Sequence, residues 1–226
     1  MVKVRKLLSK EEKLRRLIEC GVVSIVRVEG PEEAIKIAKA IKEGGVNVIE
    51  VSMVTPGALD AIQTTSRELG DEVLTGVGTV LDPETARAAI LAGAEFVIGP
   101  TLNEGVIKVC KRYSKISIPG ALTPTEILTA WEMGADIVKV FPAGLVGPGY
   151  FKDVLSPLPQ VRLLPTGGVS LSNAGEFIKA GAVAVAVGNA LVDRRAVAEG
   201  RFDIITDNAR KFSEVVKKAR EELTKS

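Results

Sequence analysis

The sequence predicts an α/β protein folded as one (β/α)8 barrel of the TIM type, with an additional helix at the N-terminus. Eight short apolar runs alternate with amphipathic helical segments along the chain, which is typical of βα units and a parallel sheet. The length of 226 residues suits one such barrel. Only 4% of the residues are aromatic, so the core must consist of Val, Ile, Leu and Ala, as barrel interiors do.

The domain organisation follows from the regularity of this pattern. No Pro/Ser-rich linker and no low-complexity segment interrupts it, so we expect a single domain over residues 1–226. An open, doubly wound sheet is the alternative, but eight strands in a chain of this length favour a closed barrel.

The element boundaries come from apolar runs and from helix-start residues. Pro31 precedes two glutamates, and Asp82 stands before Pro83 as an N-cap before a proline at the first helical position. Asn103 and Thr123 suit two further helix starts. The predicted strands are Val22–Val28, Val46–Met53, Val73–Val77, Phe96–Gly99, Ile116–Ile118, Ile137–Phe141, Arg162–Pro165 and Ala182–Val187. The clearest predicted helices are Pro31–Glu43, Pro83–Leu91 and, at the end of the domain, Ile204–Glu222.

A short repeat supports the same architecture. Gly45, Gly93, Gly134 and Gly181 each stand between a predicted helix and a predicted strand. They recur about every 40 to 50 residues, a spacing of two βα units, which indicates a quarter-barrel period.

The charge composition excludes several classes of partner. The formal net charge of +2 is too small to predict binding to nucleic acid or to an anionic membrane. The basic residues near the start alternate with acidic ones, as on a solvated helix face, and they are Lys3, Arg5, Lys6, Arg15 and Arg16. No apolar stretch has membrane-spanning length and no signal-peptide pattern is present, so we expect a cytoplasmic protein.

The absence of histidine restricts the chemistry most strongly. It removes the usual acid/base at neutral pH and the commonest metal ligand. No carboxylate cluster suggests magnesium either, so neither a metal nor a cofactor is expected. Cys20 and Cys110 are far apart and lack C-x-x-C spacing, which favours free thiols in a reducing compartment, although the two could pair.

Three charged residues lie within or at the end of strands that otherwise suit burial. Lys139, Glu50 and Arg27 each stand toward the carboxyl end of a predicted strand, where barrel active sites are built. Burying an unpaired charge costs several kcal/mol, so such groups should be partnered or functional. The structural alternative is an ion-pair network inside the barrel, or a lysine that reaches outward to solvent.

Carbonyl chemistry uses this set of side chains. A lysine surrounded by Val and Phe is desolvated, which favours the neutral amine that attacks a ketone. In a chain without histidine, Glu50 is the candidate to move the protons of the Lys139 imine. Arg27 offers a planar guanidinium for a substrate carboxylate.

Two glycine-containing turns suggest a phosphate site. Thr166, Gly167 and Gly168 follow the seventh predicted strand, and Gly188 and Asn189 follow the eighth. Backbone N–H groups of such turns bind phosphate in many barrels. Ordinary structural turns are the alternative. Similar glycines precede Thr79 in Gly76-Val-Gly-Thr79, where we expect them to let Thr79 approach the ligand; the third glycine of a dinucleotide fingerprint is absent.

Together these residues resemble the family of 2-keto-3-deoxy-6-phosphogluconate aldolase and 4-hydroxy-2-oxoglutarate aldolase, from about Gly21 to Ala190. The motifs that carry the resemblance are Gly45-Val-Asn-Val-Ile-Glu50-Val, Gly76-Val-Gly-Thr79-Val, Ile118-Pro-Gly120 with Thr123-Pro-Thr-Glu126, Val138-Lys139-Val-Phe-Pro142-Ala, and Pro165-Thr-Gly-Gly168.

The resemblance implies a homotrimer of barrels that splits a 2-keto-3-deoxy-6-phospho sugar acid or a 4-hydroxy-2-oxo acid into pyruvate and an aldehyde. It implies a Schiff base on Lys139 and proton transfer by Glu50. It also implies that Arg27 and Thr79 bind the carboxylate of this small keto acid and that Phe141 packs beside the imine. The two glycine turns would hold the phosphate.

Three positions depart from the family pattern. Val54 stands where many members have arginine, Gly144 where many have glutamate, and Asn189 where serine is usual. An unphosphorylated substrate therefore remains an option. Two other functions stay open: a phosphate-binding barrel isomerase or synthase that uses no imine, and a degenerate barrel kept as an oligomeric scaffold.

Overall fold

The computed structural model describes residues 8–27 and 29–225. Val28 and the basic residues Lys3, Arg5 and Lys6 lie outside this part of the chain. Within it the strands, all parallel, are β1 (Val22–Val26), β2 (Val48–Ser52), β3 (Leu74–Gly78), β4 (Phe96–Ile98), β5 (Ile116–Ile118), β6 (Gly120–Ala121), β7 (Val138–Val140), β8 (Leu163–Pro165) and β9 (Val185–Val187).

Helices alternate with these strands. They are α1 (Lys10–Cys20), α2 (Pro31–Glu43), α3 (Ala58–Leu69), α4 (Pro83–Leu91), α5 (Glu104–Arg112), α6 (Pro124–Glu132), α7 (Ala143–Leu155), α8 (Ala174–Lys179), α9 (Arg194–Ala198) and α10 (Phe202–Leu223), with a 3-10 helix at Gly70–Glu72. No helix in residues 8–27 and 29–225 is long and apolar enough to cross a lipid bilayer.

The helix starts use the predicted residues. The side chains of Asp82 and Asn103 accept from the backbone N–H groups of Thr85 and Val106. Thr123 forms a capping box with Glu126. The four glycines of the short repeat all have φ between 90° and 111°, a backbone that favours glycine because an added Cβ would be strained. The quarter-barrel spacing thus marks four helix-to-strand turns.

Each of the eight predicted runs contains a strand, and the fifth, Ile116–Ile118, matches β5 at both ends. The short strand β6 was not predicted; Pro119, whose missing N–H cannot join a ladder, separates it from β5. One prediction needs correction. Arg27 does not belong to β1, which ends at Val26. Its side chain therefore extends from the loop after the strand.

The strands form two hydrogen-bonded sheets. The larger has the order β5-β4-β3-β2-β1-β9 and curls into a half-barrel, and the smaller has the order β6-β7-β8. Pro119 alone separates β5 from β6, and a parallel bridge joins Thr166 to Ala186 between the ends of β8 and β9. The chain is therefore an α/β protein of parallel strands, consistent with a TIM-type barrel.

The interior between the strands is a layer of aliphatic side chains. Side chains from most of the strands point inward and, with Leu17 of α1, form one buried cluster. It contains Leu17, Val23, Ile25, Val48, Leu74, Phe96, Ile98, Ile116, Ile118, Ile137, Leu164, Ala184 and Ala186. A second, larger cluster fills the space between the strands and the surrounding helices. The interior between the strands is therefore packed.

Helix α1 closes the end of the interior where the strands begin. Its Leu17 is fully buried in the interior cluster. The guanidinium of Arg220 donates to the carbonyl oxygens of Ile18, Glu19 and Val183 and holds the end of α1 against β9. This helix therefore caps the interior with its buried side, opposite the solvated face that the charged residues predict.

Leu17→Ala tests this role. We expect the variant to lose about 3 kcal/mol of unfolding free energy, because the substitution leaves a cavity in a packed interior. Urea denaturation measures the loss. The part of the variant that stays folded should keep the reactivity of the residues at the carboxyl ends of the strands. An unfolding free energy equal to that of the unmodified protein would show that α1 does not cap the core.

Candidate active site

A cavity of about 450 Å³ opens at the carboxyl ends of the strands, and every residue predicted for the site lines it. These residues are Lys139, Glu50, Arg27, Thr79, Phe141, Thr166, Gly167, Gly168, Gly188 and Asn189. Residues not predicted as ligand contacts complete the wall, namely Ile25, Val54, Pro100, Val169, Ala186 and Ala190. The fold thus brings together residues that are spread over more than 160 positions of the sequence.

Lys139 lies in the middle of β7, and only 5% of it is exposed. Its Nζ is 5.0 Å from the centroid of the Phe141 ring, which forms part of the cavity rim. Burial lowers the pKa of Lys139; the charge of Glu50 opposes this shift and that of Arg27 adds to it. The neutral, nucleophilic form of the amine is therefore favoured.

Glu50 lies in β2 and is buried, with 1% of its surface exposed. Desolvation raises its pKa, against the opposing effects of Lys139 and Arg27. Its Oε2 has no hydrogen-bond partner among the described residues. Within that part of the chain Glu50 also forms no direct ion pair with Lys139, although each shifts the pKa of the other. Amine and carboxyl group thus face one cavity without neutralising each other by contact.

Two glycines of β3 make room for neighbouring side chains. A Cβ added to Gly78 would lie 1.5 Å from Oε1 of Glu50, and one added to Gly76 would lie 2.4 Å from the Phe96 ring. Neither glycine has a positive φ, so space rather than backbone conformation requires it. The two glycines therefore have a role of their own: Gly78 admits the carboxyl group and Gly76 the interior aromatic ring. That they also let Thr79 approach the ligand stays a prediction.

Thr79 follows β3 and lines the cavity in an unusual backbone conformation, with φ at 59°. Its Oγ1 lies 2.8 Å from Oγ of Ser52, a fully buried residue of β2. Ser52 was not predicted as a functional residue. Its position two residues after Glu50, on the same face of the strand, is the sequence feature that could have indicated it.

Arg27 is exposed and lies at the mouth of the cavity. Its Nη1 is 3.6 Å from the point that a Cβ on Gly188 would occupy, so the guanidinium lies beside the turn at Gly188 and Asn189. The same charge acts on the pKa values of Glu50 and Lys139. The Arg27 charge therefore acts on the two buried groups, while its guanidinium lies beside the turn predicted to bind an anion.

The turn after β8 is fixed by close backbone packing. Gly167 and Gly168 have φ of 81° and 79°, and the carbonyl oxygen of Gly167 accepts from the N–H of Gly144 at 2.8 Å. A Cβ on Gly144 would lie 3.0 Å from the Cα of Gly168. Gly144, which stands where many family members have glutamate, therefore lies in close contact with the turn at Gly167 and Gly168.

Several polar groups of these turns are available to a ligand. Within the described part of the chain, the backbone N–H groups of Gly168 and Asn189 donate no hydrogen bond. The Oγ1 of Thr166, a buried residue, likewise lacks a partner there. These unpaired groups point to recognition of a polar or anionic substrate group.

The two cysteines take no part in this site. Cys20 and Cys110 are free thiols, and burial raises the pKa of Cys110 to about 12. Among residues 8–27 and 29–225, no group of three or more Cys, Asp or Glu side chains is placed to hold a metal ion.

Gly78→Ala should displace the Glu50 carboxyl group. We expect exchange of pyruvate methyl protons with D2O, which needs an imine and a base, to slow by about 10²-fold or more. Proton NMR measures the exchange. Gly76→Ala is the matched control, which should mainly lower the unfolding free energy through Phe96; equal exchange rates in the two variants would contradict the assignment.

The pKa of Lys139 should respond in opposite directions to its two charged neighbours. Glu50→Gln removes a negative charge that raises this pKa, so the pKa should fall further; Arg27→Gln removes a positive charge that lowers it, so the pKa should rise. The pH dependence of the rate of Lys139 acetylation, followed by mass spectrometry, measures the pKa in both variants. Acetylation of the ε-amine of Nα-acetyl-lysine is the reference. Shifts in the same direction would refute this electrostatic arrangement.

Comparisons with known proteins agree with this geometry. The family model described as KDPG and KHG aldolase matches residues 12–208. The 2-dehydro-3-deoxy-phosphogluconate aldolase of Treponema pallidum is 36% identical over 196 residues, which cover 86% of this chain and 93% of that protein.

Solved structures show the same fold. KDPG aldolase from Legionella pneumophila, with pyruvate captured as a covalent carbinolamine intermediate, has a TM-score of 0.82 and 26% identity, covering 90% of this chain and 97% of that one. A cube-shaped protein cage designed by fusing symmetric oligomeric domains has a TM-score of 0.84 and 27% identity, covering 91% of this chain and 75% of that one. The chain therefore belongs to the KDPG and KHG aldolase family and is a class I aldolase, an enzyme of the lyase class.

Proposed function

We propose that this enzyme cleaves a 2-keto-3-deoxy-6-phospho sugar acid or a 4-hydroxy-2-oxo acid into pyruvate and an aldehyde, through an imine on Lys139. The observation that carries the proposal is the pair of buried groups, Lys139 and Glu50, which line one cavity without a direct ion pair. An amine in this setting is a nucleophile, and the carboxyl group beside it can both donate and accept a proton.

Imine formation uses both groups. The neutral Nζ of Lys139 attacks the C2 ketone, and proton transfer from nitrogen to oxygen gives a carbinolamine. Glu50, whose pKa is raised by burial, protonates the carbinolamine hydroxyl group. That group leaves as water, the protonated imine forms, and Glu50 is left as a carboxylate.

Cleavage follows from the same two groups. The Glu50 carboxylate takes the proton of the C4 hydroxyl group, the C3–C4 bond breaks, and its electron pair moves toward the imine to form an enamine. The aldehyde leaves. Glu50 returns the proton to C3, which regenerates the protonated imine. Water then hydrolyses it to pyruvate and the neutral amine, and the proton set free returns to the Glu50 carboxylate.

Substrate binding is assigned to the remaining cavity residues. We assign the carboxylate of the keto acid to Arg27 and Thr79, and packing beside the imine to Phe141. Thr166, Gly167, Gly168, Gly188 and Asn189 would bind the phosphate, supported by the unpaired N–H groups of these turns. Arg27 lies beside Gly188, so its guanidinium can also meet a distal anion.

Val54 bears on the choice between the two substrate classes. It lines the cavity, 63% of it is exposed, and it places an apolar group where many relatives have a cation. Arg27 and Lys139 are the cationic side chains that line the cavity in the described structure. Since the imine uses Lys139, Arg27 is left to attract carboxylate and phosphate together, which keeps an unphosphorylated 4-hydroxy-2-oxo acid open as the substrate.

The proposal includes the wider architecture. The two sheets would close through Pro119 and through the Thr166–Ala186 bridge into one (β/α)8 TIM barrel, which makes residues 1–226 a single domain. We further propose a cytoplasmic homotrimer that needs no cofactor. The fold shared with a cage designed from symmetric oligomeric domains supports self-association.

A coupled assay for pyruvate release over phosphorylated and unphosphorylated keto acids tests the function. We expect turnover of at least one class and a loss of at least about 10³-fold in Lys139→Met, because the covalent step disappears. Lys108→Met, which removes an exposed lysine of α5, is the matched control. Release that persists in Lys139→Met would exclude the imine, and release from no keto acid would exclude the function.

A further inference from the structure

We infer that Ser52 is a positioning residue, which donates its hydroxyl hydrogen bond to Thr79 and thereby directs the Thr79 proton into the cavity. The inference rests on the proposed function, in which Thr79 meets the substrate carboxylate. It concerns Ser52, a residue of β2 that does not line the cavity, and its contact with Thr79, which follows β3 and does.

The geometry first limits what Ser52 can do. Its side chain is fully buried, and its Oγ lies 2.8 Å from Oγ1 of Thr79. Within the described residues, this is the contact that its hydroxyl group makes. A hydroxyl group has one proton to donate, and a buried proton without an acceptor is costly.

These facts choose between two hydrogen-bond directions. If Thr79 donated to Ser52, the Ser52 proton would have no acceptor in the described part of the protein. If Ser52 donates to Thr79, the buried group is satisfied and the Thr79 proton is left for the cavity, which this residue lines. The second direction satisfies both groups once an anionic ligand is bound.

The backbone independently shows that Thr79 is held in place. Thr79 is a β-branched residue with φ at 59°, a conformation that such residues rarely adopt. The residues on each side are tied to neighbouring strands, because Met53 N–H donates to Gly78 O at 2.9 Å and Val80 N–H donates to Ile98 O at 3.1 Å. Ser52 also pairs in register with Gly78, so strand pairing aligns the two hydroxyl groups.

Loss of the Ser52 hydroxyl group should affect keto-acid binding and imine formation differently. Ser52 does not line the cavity, whereas Glu50, two residues earlier, does. Loss of the Ser52 hydroxyl group should therefore weaken keto-acid binding while imine formation at saturation stays intact. A residue with only a packing role would instead change stability and leave binding alone.

Pyruvate trapping with borohydride, quantified as the reduced adduct on Lys139 over a range of pyruvate concentrations, tests this. Ser52→Ala should raise the half-saturating pyruvate concentration about threefold to tenfold with unchanged labelling at saturation. Thr79→Val should raise it at least as much. Adding Ser52→Ala to Thr79→Val should have no further effect, because Ser52 acts through Thr79.

Ser24→Ala is the matched control, since Ser24 is equally buried in β1 and its Oγ has no partner in the described structure. This variant should bind pyruvate as the unmodified protein does. If Ser52→Ala does not fold, Ser52→Cys provides the same cycle, because a thiol is a weak donor of similar size.

Three results would overturn the inference. These are an unchanged half-saturating concentration in Ser52→Ala, an equal increase in Ser24→Ala, or effects of Ser52→Ala and Thr79→Val that multiply in the double variant. An unmodified protein that pyruvate does not label would defeat the proposed function, and the Ser52 inference with it. Normal labelling with any of the three results would defeat the inference alone.

Discussion

The constraint on which the site depends is the burial of an amine and a carboxyl group in one aliphatic interior without direct contact between them. Burial lowers the pKa of Lys139 and raises that of Glu50, so burial shifts each group toward its uncharged form. A direct ion pair would stabilise both charges and remove the nucleophile. The separation therefore keeps the lysine reactive, and it leaves the Glu50 proton available to a bound substrate.

Small residues make room for the groups that surround this site. Gly78 admits the carboxyl group of Glu50, and Gly76 admits the ring of Phe96, which fills the interior below the site. Gly144 allows a close approach to the turn at Gly167. A Cβ at any of these positions would meet a neighbouring group, so the glycines define the cavity as much as the polar side chains do.

Much of this arrangement could be predicted from the sequence, because periodicity and chemical type carry it. Eight apolar runs marked the strands, and charges within apolar surroundings marked Lys139 and Glu50. The strand β6 was missed because it consists of two small residues, Gly120 and Ala121, which form no apolar run. Arg27 was placed at the end of β1, although the strand ends one residue earlier.

Other features depend on contacts between strands and could not be read from one segment. The contact of Ser52 with Thr79 joins β2 to the end of β3, and nothing in either segment alone specifies it. The role of Gly78 likewise depends on which side chain lies opposite. The sequence marked Gly144 only as a departure from the family pattern. In the structure its backbone N–H donates to the carbonyl oxygen of Gly167 in the turn after β8.

The most direct test of the account is a crystal structure of the protein after reduction with borohydride in the presence of pyruvate. The account predicts a pyruvyl group joined to Nζ of Lys139 inside the cavity, with the Glu50 carboxyl group within hydrogen-bond reach of the new bond. A pyruvyl group on a different lysine, or a Glu50 side chain turned away from the adduct, would contradict it.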